Sequence, residues 1–167
     1  MRILGIDPGY AIVGYGLIEC RSGGSRSLGY GAITTSAEAA FNARLEQVYD
    51  SMVRLLEKSS PEALSIERLY FQNNQKTAIA VAEARGVILL AARKAGVEIF
   101  EYTPLQVKMA ITGYGRAAKN QIMGMTQRLL GLPEMPRPDD AADALGLAIC
   151  HGRVGGTQIK RDMLRRS

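Results

Sequence analysis

The hydrophobic pattern of this chain changes period at residue 41, and that change restricts the folds open to it. Before it, apolar residues come in short runs: residues 2–7 (RILGID), 12–20 (IVGYGLIEC) and 28–35 (LGYGAITT). Pro8 and Gly9 stop the first run, and the turn-rich residues 21–27 divide the second from the third. Three such runs predict an antiparallel three-stranded meander. After it, Phe41, Leu45, Val48, Met52, Leu55 and Leu56 recur at spacings of three and four. That is the mark of an amphipathic helix, which should end before Ser59-Ser60-Pro61.

From there strands and helices alternate. Residues 63–68 (ALSIER) predict a fourth strand, the alanine-rich residues 75–95 a helix stopped by Gly96, and residues 97–102 a fifth strand. Pro104 is placed to open a helix to about residue 111, Gly113-Tyr114-Gly115 breaks it, and a further helix is expected over 119–130. A loop with three prolines, 131–138, leads to a last helix over about 139–151. A meander followed by this alternation predicts an α/β architecture: one mixed five-stranded sheet with helices on both faces.

At 167 residues and 47% hydrophobic, the chain has about the length of one domain and enough apolar content for a core. No apolar run approaches the roughly 18 residues of a membrane span, and the first residues lack a secretory signal, so a soluble cytoplasmic protein is expected. Cys20 and Cys150 are too few and too apolar in setting for a disulfide scaffold and read as buried free thiols. The net charge of +5 is concentrated at the end: Arg153, Lys160, Arg161, Arg165 and Arg166 stand against Asp162 alone. The expected division is therefore a nearly neutral domain over 1–152 and a basic, disordered tail over 153–167. Such a tail suits nucleic-acid phosphates, or merely solubility.

Four carboxylates are candidates for chemistry. Asp7 closes the first strand, Glu67 lies near the end of the fourth, and Asp140 and Asp143 are three apart on one helical face. Singly, each has an ordinary role: a turn cap, a strand-end charge paired with Arg68, a pair of helix N-terminal acids. Asp7 and Glu67, however, interrupt apolar strands, where an unpaired carboxylate is costly. Sites in such sheets lie at strand ends, so one acidic cluster can form across the sheet and hold hard cations such as Mg²⁺ for phosphoryl displacement.

The segments GIDPGYAIVGYG (5–16), SIERLYFQNN (65–74), EARG (83–86) and DAADALGLAICH (140–151) resemble the RuvC family of Holliday-junction resolvases, in family order and spacing. The resemblance implies an RNase H-like fold. It implies a homodimeric endonuclease, dependent on Mg²⁺ (two ions per site, Mn²⁺ as a substitute), that nicks two opposed strands of a four-way DNA junction. It also implies the RuvA–RuvB branch-migration complex as a partner. Carried over by motif, the catalytic and metal-holding acids are Asp7, Glu67, Asp140 and Asp143. Lys108 and Lys119 fall on basic positions that the family sets against DNA phosphates, with Arg116 a weaker candidate. Tyr70 and Phe71 follow Glu67 where relatives present one aromatic ring to the junction centre; alignment favours Tyr70 over Phe71 as that wedge, and the alternative is that both rings are core. Asp139 and Asp140 both reach the face of Asp143. The D-A-A-D spacing selects Asp140, leaving Asp139 as an N-cap. His151 reads as a helix-end residue rather than a base.

Three further readings follow. The small residues of 75–95 permit close helix approach, which makes that helix the expected dimer seam or simply a helix packed on its own sheet. The turn at Asp7-Pro8-Gly9 with Gly14-Tyr15-Gly16 also resembles the phosphate-binding hairpin of actin-like kinases, but that fold needs a second hairpin and domain for which 167 residues leave no room. A non-catalytic junction-binding module would need the basic tail but not four converging acids.

Overall fold

In a computed structural model the chain is described over residues 1–69 and 75–166. The elements are β1 (Arg2–Asp7), β2 (Ile12–Arg21), β3 (Gly24–Thr34), α1 (Phe41–Ser59), β4 (Ala63–Glu67), α2 (Gln75–Lys94), β5 (Glu98–Tyr102), α3 (Pro104–Thr112), α4 (Lys119–Leu130) and α5 (Asp139–Arg166). The five strands form one sheet in the order β3-β2-β1-β4-β5. β1, β2 and β3 pair antiparallel, while β1–β4 and β4–β5 are parallel, so the expected mixed sheet is the one observed.

Alternation along the central strands assigns the two faces. Leu4 and Ile6 of β1 and Leu64 and Ile66 of β4 bury their side chains against Val48, Met52 and Leu56 of α1 and Ile88, Ala91 and Ala92 of α2. Ile3, one residue out of phase, packs with Ile111 of α3, Leu130 of α4 and Leu145, Ala148 and Ile149 of α5. Each fully buried aliphatic side chain contributes about 1.5–3 kcal/mol, so both layers hold the sheet in register. Gly5, Asp7, Ser65 and Glu67 keep the phase of Ile3 and therefore lie on the α5 face.

On that face the helix comes unusually close. A Cβ on Gly5 would stand 2.8 Å from the backbone nitrogen of Ala148 and closer still to the carbonyl of Ala144. Buried Ser65 donates a 2.7 Å hydrogen bond to the carbonyl of Leu147.

Three expectations need correction. β3 begins at Gly24 rather than residue 28, because Ser22-Gly23 closes a tight hairpin and the extra residue is absorbed by a register shift at Leu17/Ile18. α5 does not stop near His151 but runs to Arg166, so the segment read as a separate tail continues the helix. No proline interrupts it, and past the expected end Arg153 still donates to the Ala110 carbonyl of α3. His151 is accordingly mid-helix and buried. It stacks on Phe100 at 4.1 Å between ring centroids, its Nδ1 lies 2.7 Å from the Tyr102 hydroxyl, and burial pushes its pKa down. Cys20 and Cys150 are both free; Cys150 is buried and Cys20 only partly so. Among the described residues, no helix is long and apolar enough to cross a membrane.

Candidate active site

β1 and β4 are adjacent and parallel, so their C-terminal ends fall together, and each ends in a carboxylate on the α5 face. α5 starts above those ends with Asp139, Asp140 and Asp143 in its first two turns. β2 makes room for it: Gly14 sits opposite Asp7 in the β1–β2 ladder, and a Cβ there would stand 2.9 Å from the Cβ of Asp140. The four acids singled out from the sequence therefore come from three separate elements to one end of the sheet.

Burial and neighbouring negative charge together raise three of these acids. Asp7 is pushed up to about 7, first by burial and then by the charges of Glu67, Asp143 and Asp140. Burial and Asp143 raise Glu67. Asp143 is raised by burial, against the opposing pull of Lys119. Holding these groups ionised together in partial burial is costly unless positive charge is supplied.

Lys119, first residue of α4, supplies one such charge. Its Nζ lies 3.3 Å from Asp139 Oδ2 and 3.4 Å from Asp143 Oδ2. Its own pKa is raised, because the pull of Asp143 and Asp139 outweighs a desolvation that would lower it. Asp139 also accepts a 2.9 Å bond from Arg137 Nη1. The expectation that Asp139 caps α5 is corrected. The carbonyl of Pro138 already accepts from the backbone nitrogens of Ala141 and Ala142, which makes Asp139 the first helical residue with its carboxylate turned to cations.

A cavity of about 160 Å³ opens beside the acids, lined by Glu67, Asp143, Lys108, Pro104, Val107 and Ile122. Lys108 thus joins the same site from α3. Arg116 is exposed on the loop before α4. Tyr70 and Phe71 lie outside the described residues.

The donor set suits a hard divalent cation: carboxylate oxygens only, with excess negative charge. Among the described residues no three acidic, histidine or cysteine side chains form a ready-made cage for one ion.

Sequence reasoning missed two supports of the site. One is the glycine row under α5, signalled by Gly5, Gly14 and Gly16 sharing one face of paired strands. The other is Arg85 of α2, which donates through Nε to the backbone carbonyl of Glu67 at 3.1 Å.

The family model described as Crossover junction endodeoxyribonuclease RuvC matches residues 3–151. A protein of that name from Moorella thermoacetica is 55% identical over 151 residues, covering 90% of each chain. The structure of RuvC from Thermus thermophilus superposes with a TM-score of 0.85 at 34% identity over 93% of this chain and 97% of that one. RuvC of the same organism in complex with a Holliday junction gives 0.86 at 32% identity over 94% and 96%. The yeast mitochondrial resolvase Ydc2, at 15% identity and a TM-score of 0.72, shares the fold. With nearly the whole described domain matched, the chain belongs to the RuvC family of crossover junction endodeoxyribonucleases.

Proposed function

We propose that this enzyme resolves four-way (Holliday) DNA junctions by Mg²⁺-dependent hydrolysis of one phosphodiester in each of two opposed strands, in recombination and repair. The observation that carries the reading is the convergence of Asp7, Glu67, Asp140 and Asp143 from β1, β4 and α5 at one open end of the sheet, with Asp7 pushed up to about 7 by burial and by its acidic neighbours. A binding module alone has no need of such a cluster.

In this mechanism Asp7, Asp140 and Asp143 would hold the ions, and Glu67 would help to hold one and to orient the attacking water. Two bound divalent ions would lower the pKa of that water and stabilise the charge on the entering and leaving oxygens. Water attacks phosphorus in line, the bond to the 3′ oxygen breaks, and ligatable 3′-hydroxyl and 5′-phosphate ends result. Lys119 and Lys108, both beside the acids, offset charge that would otherwise repel the DNA backbone, with Arg116 further out. Tyr70 or Phe71 would stack on an unpaired base at the junction centre.

A substrate with two symmetric cuts is best served by a two-fold protein. α2 supplies a candidate seam, because Ile79 and Leu90 are 66% and 54% exposed on the same outward face as the small Gly86. Lys160, Arg161, Arg165 and Arg166, in the last turns of α5, would add sequence-independent contacts to DNA phosphates. A RuvA–RuvB branch-migration complex is the partner the family suggests.

The test is cleavage of a four-way junction and of a linear duplex, each with and without Mg²⁺. Paired nicks on the junction alone, only with the metal (Mn²⁺ substituting), are expected. Binding without cleavage would overturn the reading.

A further inference from the structure

The peptide unit that carries Glu67 into the site is held at both of its polar atoms. Its carbonyl, that of Glu67, accepts from Arg85 Nε at 3.1 Å, and its amide, that of Arg68, donates to the carbonyl of Tyr102 at 2.9 Å. Arg85 is itself fixed. Its Nη2 donates to Glu101 Oε1 at 2.5 Å, and its side chain is only 13% exposed. Glu101 takes a second cation, Arg68 Nε, at 3.5 Å. Hydrogen bonds from these arginines hold the Glu101 carboxyl below its usual range, which keeps it the anionic anchor of the arrangement.

We infer that Arg85, braced by Glu101, is a positioning residue that sets the direction of the Glu67 carboxylate. The inference rests on the proposed catalytic role of Glu67. Glu67 is the last residue of β4, where the ladder ends and the backbone would otherwise be free to turn. A guanidinium suits this double role because it presents several donors in one rigid plane, so a carboxylate on one edge aims Nε at the carbonyl. A lysine has a single point charge and cannot serve both partners in fixed directions. Because Arg85 lies in the middle of α2 and Glu101 on β5, the clamp also links the helix before the sheet edge to the strand end that carries Glu67. The EARG segment, residues 83–86, thereby gains a physical function that its sequence alone did not disclose.

A residue that only tied α2 to the sheet would affect stability, not the metal requirement of the reaction. The experiment compares full-length Arg85→Ala, Arg85→Lys and Glu101→Gln with wild type, and uses Glu67→Gln as reference. Nicking of a four-way junction is measured across a Mg²⁺ titration, junction affinity in metal-free buffer, and thermal unfolding alongside. Arg85→Ala is expected to nick about 10–100-fold more slowly at low Mg²⁺ and to recover part of that loss at high Mg²⁺, as residues that orient metal-holding groups do. Its metal-free affinity for the junction should stay within about twofold of wild type. Arg85→Lys and Glu101→Gln should move in the same direction by less.

Wild-type Mg²⁺ dependence in the Arg85 and Glu101 variants overturns the inference. So does a loss of metal-free junction affinity in step with nicking, which would make Arg85 a DNA contact. Should Arg85→Ala fail to fold, the Mg²⁺ dependence of Arg85→Lys and Glu101→Gln decides on the same terms. A Glu67→Gln variant that nicks normally sinks the reading of the site itself, whereas an inactive one beside normal Arg85 and Glu101 variants sinks only the positioning role.

Discussion

Gly14 and Asp140 meet backbone to backbone: the place where a side chain on Gly14 would begin is taken by the main chain and Cβ of Asp140. Since Gly14 is also the ladder partner of Asp7, one absent methyl group sets the distance between the first strand's acid and the last helix's acids. Gly14→Ala must push α5 off the sheet. It should destabilise the protein by about 1–3 kcal/mol, the usual cost of overpacking, and should lose nicking activity out of proportion to that. Thermal unfolding together with junction nicking below the melting range checks this; a stable Gly14→Ala with normal nicking would show that α5 tolerates the shift.

Glu67→Gln keeps the shape of its side chain and removes its charge. Junction binding should persist and nicking should disappear, because the amide no longer helps to hold a cation or orient water. Gel-shift and cleavage assays on the same junction read the two effects separately. Nicking near the wild-type rate would remove Glu67 from the mechanism.

The pH dependence of stability without divalent ions carries a sign that can be worked out. Asp7 ionises near 3.8 when unfolded but is pushed up to about 7 in the folded protein, so between these values the native state binds more protons. Its contribution is fully present below about 3.8 and is lost as pH rises through about 7. Asp7→Asn cannot ionise, so it should match wild type near pH 4 and melt several degrees higher near pH 8, with activity gone. A melting temperature that differs by the same amount at both pH values would mean that Asp7 is not strained by its neighbours.

How much of this was legible in the sequence depends on what each residue does. Asp7 and Glu67 were readable because each breaks an apolar strand, and Asp140 and Asp143 because a helical period puts them on one face. The end of α5 was not: stopping it at His151 assumed a polar terminus, yet His151 is buried between Phe100 and Tyr102, contacts that depend on β5 lying beneath the helix. Arg85 was equally hidden. Its partners are a backbone carbonyl 18 residues away and a carboxylate 16 away, and no local pattern encodes either.

The basic end of the chain can be tested without disturbing α3, because Arg153 hydrogen-bonds the Ala110 carbonyl and is best left in place. Deleting residues 156–167 removes Lys160, Arg161, Arg165 and Arg166 with Asp162. Junction and linear duplex binding should weaken alike, and the slope of log affinity against log salt should flatten by up to about 3. An unchanged slope would place this segment off the DNA.

The adjacent Asp139 and Asp140 give the sharpest test within the site, since both lie within a helical turn of Asp143. Their surroundings differ. Asp139 is spent on cations, with Arg137 at 2.9 Å and Lys119 at 3.3 Å, and is 46% exposed. Asp140 packs over Gly14, opposite Asp7, and its charge is among those that push Asp7 up to about 7. Asp139→Asn therefore trims an exposed ion-pair network worth little, on the order of 1 kcal/mol or less, and leaves the carboxylates near Asp7 in place. Nicking should stay within a few-fold of wild type. Asp140→Asn takes away negative charge beside Asp7, and should be inactive at ordinary Mg²⁺ with a partial return at high concentration. It should also bring the Asp7 pKa down, which the metal-free melting profile reports as a shallower fall in stability towards pH 7. A Mg²⁺ titration of junction nicking by both variants decides the assignment: an inactive Asp139→Asn beside an active Asp140→Asn would exchange their roles.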